Sequence, residues 1–308
     1  MKSIRKVAIL GAGAMGAAYA AMFSEAGNFD VAFIAGGERR ARLAAHGVTV
    51  NGRRHAVAVV GPDEADTPAD LILVALKHHH LAEALPQIEK FVGRRTTILS
   101  VMNGLSSEEI IGTRYGLDKL VYAIAVGIDA VRDGARFIYS KPGKIFFGPT
   151  AQSGEDRLAL LGEALTRAGI ANEVPPDIRR TLWWKFMINV GINQASAVLR
   201  APYGVFQSSA DARALMEMLM GEVIALAPKA GVDLGSADLK AWSDVLAGLA
   251  PQGKTSMLQD IEAGRKTEVE IFAGKMVELG QRYQVPTPVN DAVLRIIRVL
   301  ENGTRPSA

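Results

Sequence analysis

Two hydrophobic rhythms divide this chain. Through residues 1–174, short apolar runs alternate with stretches of mixed polarity, and glycines or prolines separate many of them. Residues 7–10 read as a buried strand, followed over 14–26 by a helix of small side chains that stops at Gly27. Further strands are expected over 30–35, 71–76 and 96–101, the last followed by an Asn103-Gly104 turn. Strands over 120–126, 137–140 and 144–147 come next, with Gly134 and Pro142-Gly143 as turns. Strands alternating with helices predict a doubly wound α/β sheet, here with an appended meander. After Pro175-Pro176 the apolar period lengthens to about 3.6 residues. Helices are expected over 177–199, 210–226, 239–249, 256–283 and 289–300. The division is therefore an α/β domain, 1–174, and an all-helical domain, 175–308.

Composition narrows the classes. At 308 residues with 49% hydrophobic side chains, the chain can bury two cores and is not disordered. Lys and Arg number 35 against 32 Asp and Glu, with no long run of one sign, so a nucleic-acid partner is not expected. There is no cysteine, which excludes disulfides, thiolate zinc sites and a thiol nucleophile and fits a reducing cytoplasm. Lys2, Arg5 and Lys6 ahead of an apolar run imitate a signal peptide. Glycines within that run fit a strand, turn and helix better. No uninterrupted apolar stretch has the length of a membrane span, so no membrane partner is expected.

The sharpest motif is Gly11-Ala12-Gly13-Ala14-Met15-Gly16, lying between the first strand and the first helix. In a Rossmann-type dinucleotide site the first glycine permits the tight turn and the second lets the pyrophosphate approach the backbone. The third lets helix pack on strand, and the helix N-terminus turns free N–H groups toward the phosphates. Counting about 20 residues from Gly11 reaches Asp30, which would suggest NAD. Asp30, however, opens the second strand, while the ribose belongs beyond its far end, ~17 Å away at strand rise. That end reads Ala35-Gly36-Gly37-Glu38-Arg39-Arg40. Two arginines and no acid at the tip favour the 2′-phosphate of NADP, with Glu38 as counter-evidence.

A second constellation lies in the helical half. Lys185, Asn189 and Asn193 recur four residues apart, so one helix face carries an ammonium and two amides amid apolar neighbours. Buried polar groups need partners, which a substrate could supply. An ammonium suits a carbonyl oxygen gaining negative charge during hydride transfer. Downstream, Ser256-Met257-Leu258-Gln259-Asp260 leads to Thr267-Glu268-Val269-Glu270. A carboxylate near Lys185 would hold its charge, and spacing leaves Glu268 and Glu270 equally eligible. His78, His79 and His80 point in different directions in any regular element, so no metal is expected. Their neighbour Lys77 ends a buried strand, where dinucleotide ligands bind.

Together these residues resemble the ketopantoate reductase (2-dehydropantoate 2-reductase) family over nearly the whole chain. The resemblance rests on the glycine turn, Val74-Ala75-Leu76-Lys77, Asn103-Gly104, Lys185 with Asn189 and Asn193, and Ser256 to Asp260 followed by Thr267-Glu268. It implies NADPH-dependent reduction of a 2-oxo acid, in pantothenate biosynthesis, by a Rossmann domain and a helical domain. By position, Lys185 resembles the proton donor and Glu268 the acid beside the cofactor and lysine. Asn103 would contact cofactor and substrate, and Ala130 the cofactor; Lys77 and Arg39 are assigned to the cofactor from their own places at strand ends. Asn189, Asn193 and Ser256 would hold the substrate. Three positions depart from the pattern. Gly36 stands where many members carry an arginine for the 2′-phosphate, and Tyr203 and Gly253 stand where substrate-side asparagines are familiar. These two changes suggest a pocket altered toward a different or more apolar 2-oxo acid.

Two other readings stay open. A 3-hydroxy acid dehydrogenase would also pair a glycine turn with Lys-x-x-x-Asn, though the 256–268 segment favours the first reading. A non-catalytic NADP-binding sensor would not need Lys185 and Glu268 together. The apolar stretch 215–220 suits either core or a homodimer interface.

Overall fold

The computed structural model describes residues 3–133 and 136–303; the turn expected at Gly134 lies outside them. The chain forms two compact units, Met1–Ile178 and Arg179–Ala308.

The first unit opens with β1 (Lys6–Leu10), α1 (Ala14–Glu25), β2 (Asp30–Ile34) and α2 (Gly37–His46), then three short strands, β3 (Val48–Val50), β4 (Arg53–His55) and β5 (Ala58–Val60). It continues with β6 (Leu71–Val74), α3 (Leu81–Ala84), β7 (Thr97–Ser100), α4 (Ser107–Tyr115) and β8 (Leu120–Ile128). It ends with β9 (Val131–Asp133), β10 (Arg136–Ile138), β11 (Pro142–Pro149), α5 (Glu155–Arg167) and β12 (Ala171–Glu173). Eight strands form one sheet in the order β12-β11-β8-β7-β6-β1-β2-β5. Every pairing is parallel except β11 with β8. Side chains of β1 alternate between two cores. Val7 and Ile9 join Tyr19 and Phe23 of α1 and Leu161 and Leu165 of α5, while Ala8 and Leu10 join Leu81, Ile88 and Ile111. A sheet covered on both faces needs strands apolar throughout, which is why β1 and β6 read as unbroken hydrophobic runs.

Two details of the expected meander are corrected. The strand around residue 137 does not join the main sheet; β10 lies parallel to β3 and antiparallel to β9 in a second sheet ordered β4-β3-β10-β9. So short a strand buries one side chain, Phe137, and that ring joins the core beneath α1. Pro142-Gly143 is no free turn but the start of β11. Pro142 pairs with Ile128 and Lys144 with Val126, leaving Gly127 and Gly143 between them at φ +75° and +68°. Proline is tolerated as a first strand residue, and the paired glycines absorb the local kink.

The second unit is helical. It contains α6 (Ile178–Ile188), α7 (Gln194–Leu199), α8 (Tyr203–Ser208), α9 (Ala210–Leu226), α10 (Ser236–Ala247), α11 (Ser256–Glu262), α12 (Ala273–Tyr283) and α13 (Pro288–Gly303). A π-helical turn, Asn189–Asn193, joins α6 to α7. Met216, Leu219, Met220, Val223 and Leu226 form the buried face of α9, while Met218 is 55% exposed. The 215–220 stretch is therefore core on one side only. The single helix expected over 256–283 is corrected to two. Gly264 at φ +63° ends the first, and Glu268 to Phe272 take non-α backbone before α12 begins. The apolar spacing persists because Val269, Ile271 and Phe272 stay buried without an α-helix. Among the described residues no helix is long and apolar enough to cross a membrane.

Candidate active site

The glycine turn follows β1 at the point where the sheet reverses its order, between β1 and β6. Each glycine has a separate reason. Gly11 has φ +110°, and a Cβ there would lie 2.4 Å from the Ala75 carbonyl oxygen after β6. A Cβ on Gly16 would fall 1.8 Å from the Gly11 carbonyl oxygen. Gly13, the N-cap of α1, is different: nothing lies within 4 Å of its Cβ position. The turn is thus packed on two sides and open at the residue where a pyrophosphate would approach. Ala12, Ala14 and Met15 are partly buried around it. These features fit a dinucleotide, with Gly13 to Gly16 presenting the helix N-terminus.

At the C-terminal end of β2, Gly36 caps α2 and Gly37 has φ +54°. Arg40 gives both guanidinium NH groups to the Glu64 carboxylate at 2.6 and 2.7 Å. With the Gly61 N–H, that pairing holds Glu64 below the usual carboxylate range. Arg39 is exposed and makes no side-chain hydrogen bond or ion pair among the described residues. A Cβ on Gly36 would meet only Pro62, at 3.7 Å, so a side chain would fit. Asp30 sits at the far end of β2 from these groups.

Lys77 follows β6 and caps a single 3-10 turn formed by His78–His80. Among the described residues no group of three His, Cys, Asp or Glu side chains could hold a metal ion. Asn103 lies in the bend after β7, next to Gly104 at φ +90°. That bend is anchored by a chain of hydrogen bonds invisible to sequence patterning. The Met102 N–H donates to Ser100 Oγ, Ser100 Oγ to Ser107 Oγ (2.8 Å), and Ser107 Oγ to Glu108 Oε2 (2.7 Å). Glu108 is buried, and desolvation raises its carboxyl pKa against the opposing pull of the Ser107 hydrogen bond. Ala130, between β8 and β9, packs partly buried on the core under α1.

In the second unit Lys185 occupies the last turn of α6, and Asn189 and Asn193 open and close the π turn. Lys185 is half-buried, and desolvation lowers its ammonium pKa below the ordinary lysine value. It makes no hydrogen bond or ion pair with any described residue. Asn193 Nδ2 donates to Asn189 Oδ1 at 3.4 Å. Asn189 Nδ2 is buried with no hydrogen-bond partner. Leaving such a donor unpaired costs about 1–3 kcal/mol, which a ligand acceptor would recover.

The structure separates the two eligible glutamates. Glu270 is exposed and bonded to Arg298 through both oxygens at 2.8 Å. Glu268 is 6% exposed and lies at the head of the 3-10 turn Val269–Ile271. It forms no ion pair with Lys185. Ser256 is the exposed first residue of α11, whose N-cap is Thr255. The two departing positions prove to be partners. The Tyr203 N–H donates to the Gly253 carbonyl at 3.0 Å, and a Cβ on Gly253 would lie 2.9 Å from the Tyr203 ring. Tyr203 at this backbone position therefore needs glycine opposite it. Burial raises the Tyr203 phenol pKa.

Comparison with known proteins adds independent findings. Residues 7–152 match the family model described as ketopantoate reductase PanE/ApbA, and residues 177–301 match its C-terminal counterpart. A 2-dehydropantoate 2-reductase of Mesorhizobium japonicum is 30% identical, over 96% of this chain and 97% of its own. One from Aquifex aeolicus is 27% identical over 97% of each chain. Among solved structures, a PanE/ApbA family ketopantoate reductase from Ralstonia eutropha superposes with TM-score 0.84 at 25% identity, over 97% of this chain and 99% of that one. A D-mandelate dehydrogenase bound to NADH and anilino(oxo)acetate shares the fold, with TM-score 0.88 at 22% identity and the same coverage.

Proposed function

The chain belongs to the ketopantoate reductase family, and on that premise we propose that it reduces 2-dehydropantoate to pantoate with NADPH. The observation that carries the reading is one helix bearing a desolvated ammonium at Lys185 and an unpaired buried amide at Asn189. We assign residues 1–174 to the cofactor and 175–308 to the substrate acid. When bound, NADPH supplies the hydride for the carbonyl carbon. Lys185 Nζ donates the proton to the carbonyl oxygen as its π electrons become a lone pair, and the neutral amine regains a proton from solvent. Asn189, Asn193, Ser256 and Asn103 hold the substrate. Gly11 to Gly16, Lys77, Arg39, Asn103, Ala130 and Glu268 line the cofactor. Glu268 acts on Lys185 by its charge in the loaded enzyme. A cytoplasmic homodimer is the form we expect, and fractionation with sedimentation checks it. Steady-state reduction of 2-dehydropantoate with NADPH tests the reading itself, and absence of turnover would reject it.

The cofactor preference has its own test. kcat/KM should favour NADPH over NADH, because no acid stands at the tip of β2 and Arg39 is uncommitted. Arg39→Ala should cut the preference roughly tenfold, the value of one charge-assisted hydrogen bond. Arg40→Ala should cost less, since Glu64 already occupies that guanidinium. Gly36→Arg should strengthen NADPH binding. A wild-type preference for NADH would overturn the assignment.

Substrate choice follows from the Tyr203–Gly253 pair. Without the two familiar amides, discrimination against the same 2-oxo acid lacking its hydroxyl should be weak. We expect a kcat/KM ratio within roughly a hundredfold, whereas a site built to bond a hydroxyl rejects the analogue by about 10⁴. A ratio near the larger figure would show the pocket unaltered.

A further inference from the structure

The helix carrying Lys185, Asn189 and Asn193 abandons α geometry where the asparagines lie. In a π turn the backbone bonds reach five residues back, the helix widens, and the side chains rotate away from α register. Such turns need outside support, and this one has two supports. Gly191 lets the turn lie directly on α9: a Cβ there would fall 2.4 Å from Met220 Cε and 3.1 Å from the Met216 carbonyl oxygen. Gln194, the first residue of α7, is 0% exposed. Its Nε2 donates to the Val190 carbonyl inside the turn (2.7 Å) and to Asn290 Oδ1 on α13 (3.0 Å). Its Oε1 accepts the Ala273 N–H at the head of α12 (2.9 Å). Asn290 in turn donates through Nδ2 to Glu222 of α9 at 2.7 Å, and Glu222 accepts the N–H groups of Val289 and Asn290. One fully buried amide thus ties the π turn to α12 and α13, and through Asn290 to α9.

We propose that Gln194 is a positioning residue for the reaction: it fixes the π turn and thereby the aim of Asn189 and Asn193 at the substrate acid. The proposal rests on the reading of those asparagines as substrate groups. Gln194 itself touches no substrate. Hydrogen bonding to Val190, between Asn189 and Gly191, is the link. Without that bond the segment can relax toward α geometry, swinging the Asn189 amide off the acid.

The test compares Gln194→Met and Gln194→Glu with wild type, assayed well below their melting temperatures. Gln194→Met keeps the volume and loses all three bonds. Gln194→Glu keeps the acceptor for Ala273 but not the donor to Val190, and is the variant read if Gln194→Met fails to fold. KM for the 2-oxo acid should rise roughly tenfold to a hundredfold, the scale of about 1 Å of misplacement, while the NADPH dissociation constant stays within about twofold. A lowered melting temperature with an unchanged KM for the acid would mean a merely structural role and overturn the proposal. Asn189→Ala is measured alongside. If it raises KM and the Gln194 variants do not, positioning fails while the reading of the asparagines stands. If Asn189→Ala also leaves KM unchanged, the asparagines are not substrate groups and the proposal falls with that reading.

Discussion

Lys185→Ala should lower kcat for 2-oxo acid reduction by roughly two to four orders of magnitude, the usual worth of a positioned general acid. NADPH binding should change little, because the glycine turn belongs to the other unit. Lys185→Arg separates charge from proton transfer. An arginine keeps the positive charge but does not give up its proton in proteins, so it should rescue KM for the acid far more than kcat. The pH profile supplies an independent check. Desolvation lowers the Lys185 pKa, and no described residue pairs with the ammonium to raise it again. The proton-donating form is the charged one, so kcat/KM for the acid, which reports the enzyme before the acid binds, should fall as pH rises through that lowered pKa. The fall should come at lower pH than an ordinary lysine would give. Near-normal kcat in folded Lys185→Ala would remove Lys185 from the chemistry and make Lys77 the next residue to test.

The elements legible in the sequence were those whose pattern has one physical solution. Residues 210–226 read as a helix and form α9 with those bounds, because an apolar face at helical spacing admits little else. The glycine turn was equally plain, since Gly11 and Gly16 each leave no room for a Cβ while Gly13 stays open. Other features depend on partners distant along the chain. Periodicity alone ran one helix through Gly264, and only the fold shows that Val269, Ile271 and Phe272 bury without an α-helix. Glu268 and Glu270 were indistinguishable by spacing, and their environments part them: one carboxylate buried, the other bound to Arg298. Gln194 carried no signal at all. Its partners lie on α12 and α13, 79 and 96 residues further along the chain. The Ser100, Ser107 and Glu108 chain behind Asn103 was hidden for the same reason.

Gly13→Val and Gly16→Ala should fail in opposite ways, although both fall in one short motif. At Gly16 an added Cβ would sit 1.8 Å from the backbone oxygen of Gly11. No rotamer relieves a clash with main chain, so α1 must lift from β1, which opens the core around Tyr19 and Phe23. The melting temperature of Gly16→Ala should fall steeply with or without cofactor. Gly13 has the extended backbone of an N-cap, φ −82° and ψ −170°, which valine adopts without strain. With nothing within 4 Å of its Cβ position, Gly13→Val should fold, losing only about 1 kcal/mol as a poorer N-cap and far less than Gly16→Ala. The valine methyls would then fill the space through which the pyrophosphate reaches the N–H groups of α1. We expect NADPH affinity to drop by about a hundredfold or more, ~2.7 kcal/mol at ~1.4 kcal/mol per tenfold. Thermal shift reads this directly, because a ligand present at about 100 times its dissociation constant stabilises by about 2.7 kcal/mol. At such a concentration wild type should melt several degrees higher with NADPH, and Gly13→Val should barely move. A full NADPH shift in Gly13→Val would mean that the dinucleotide phosphates do not approach the chain at this turn.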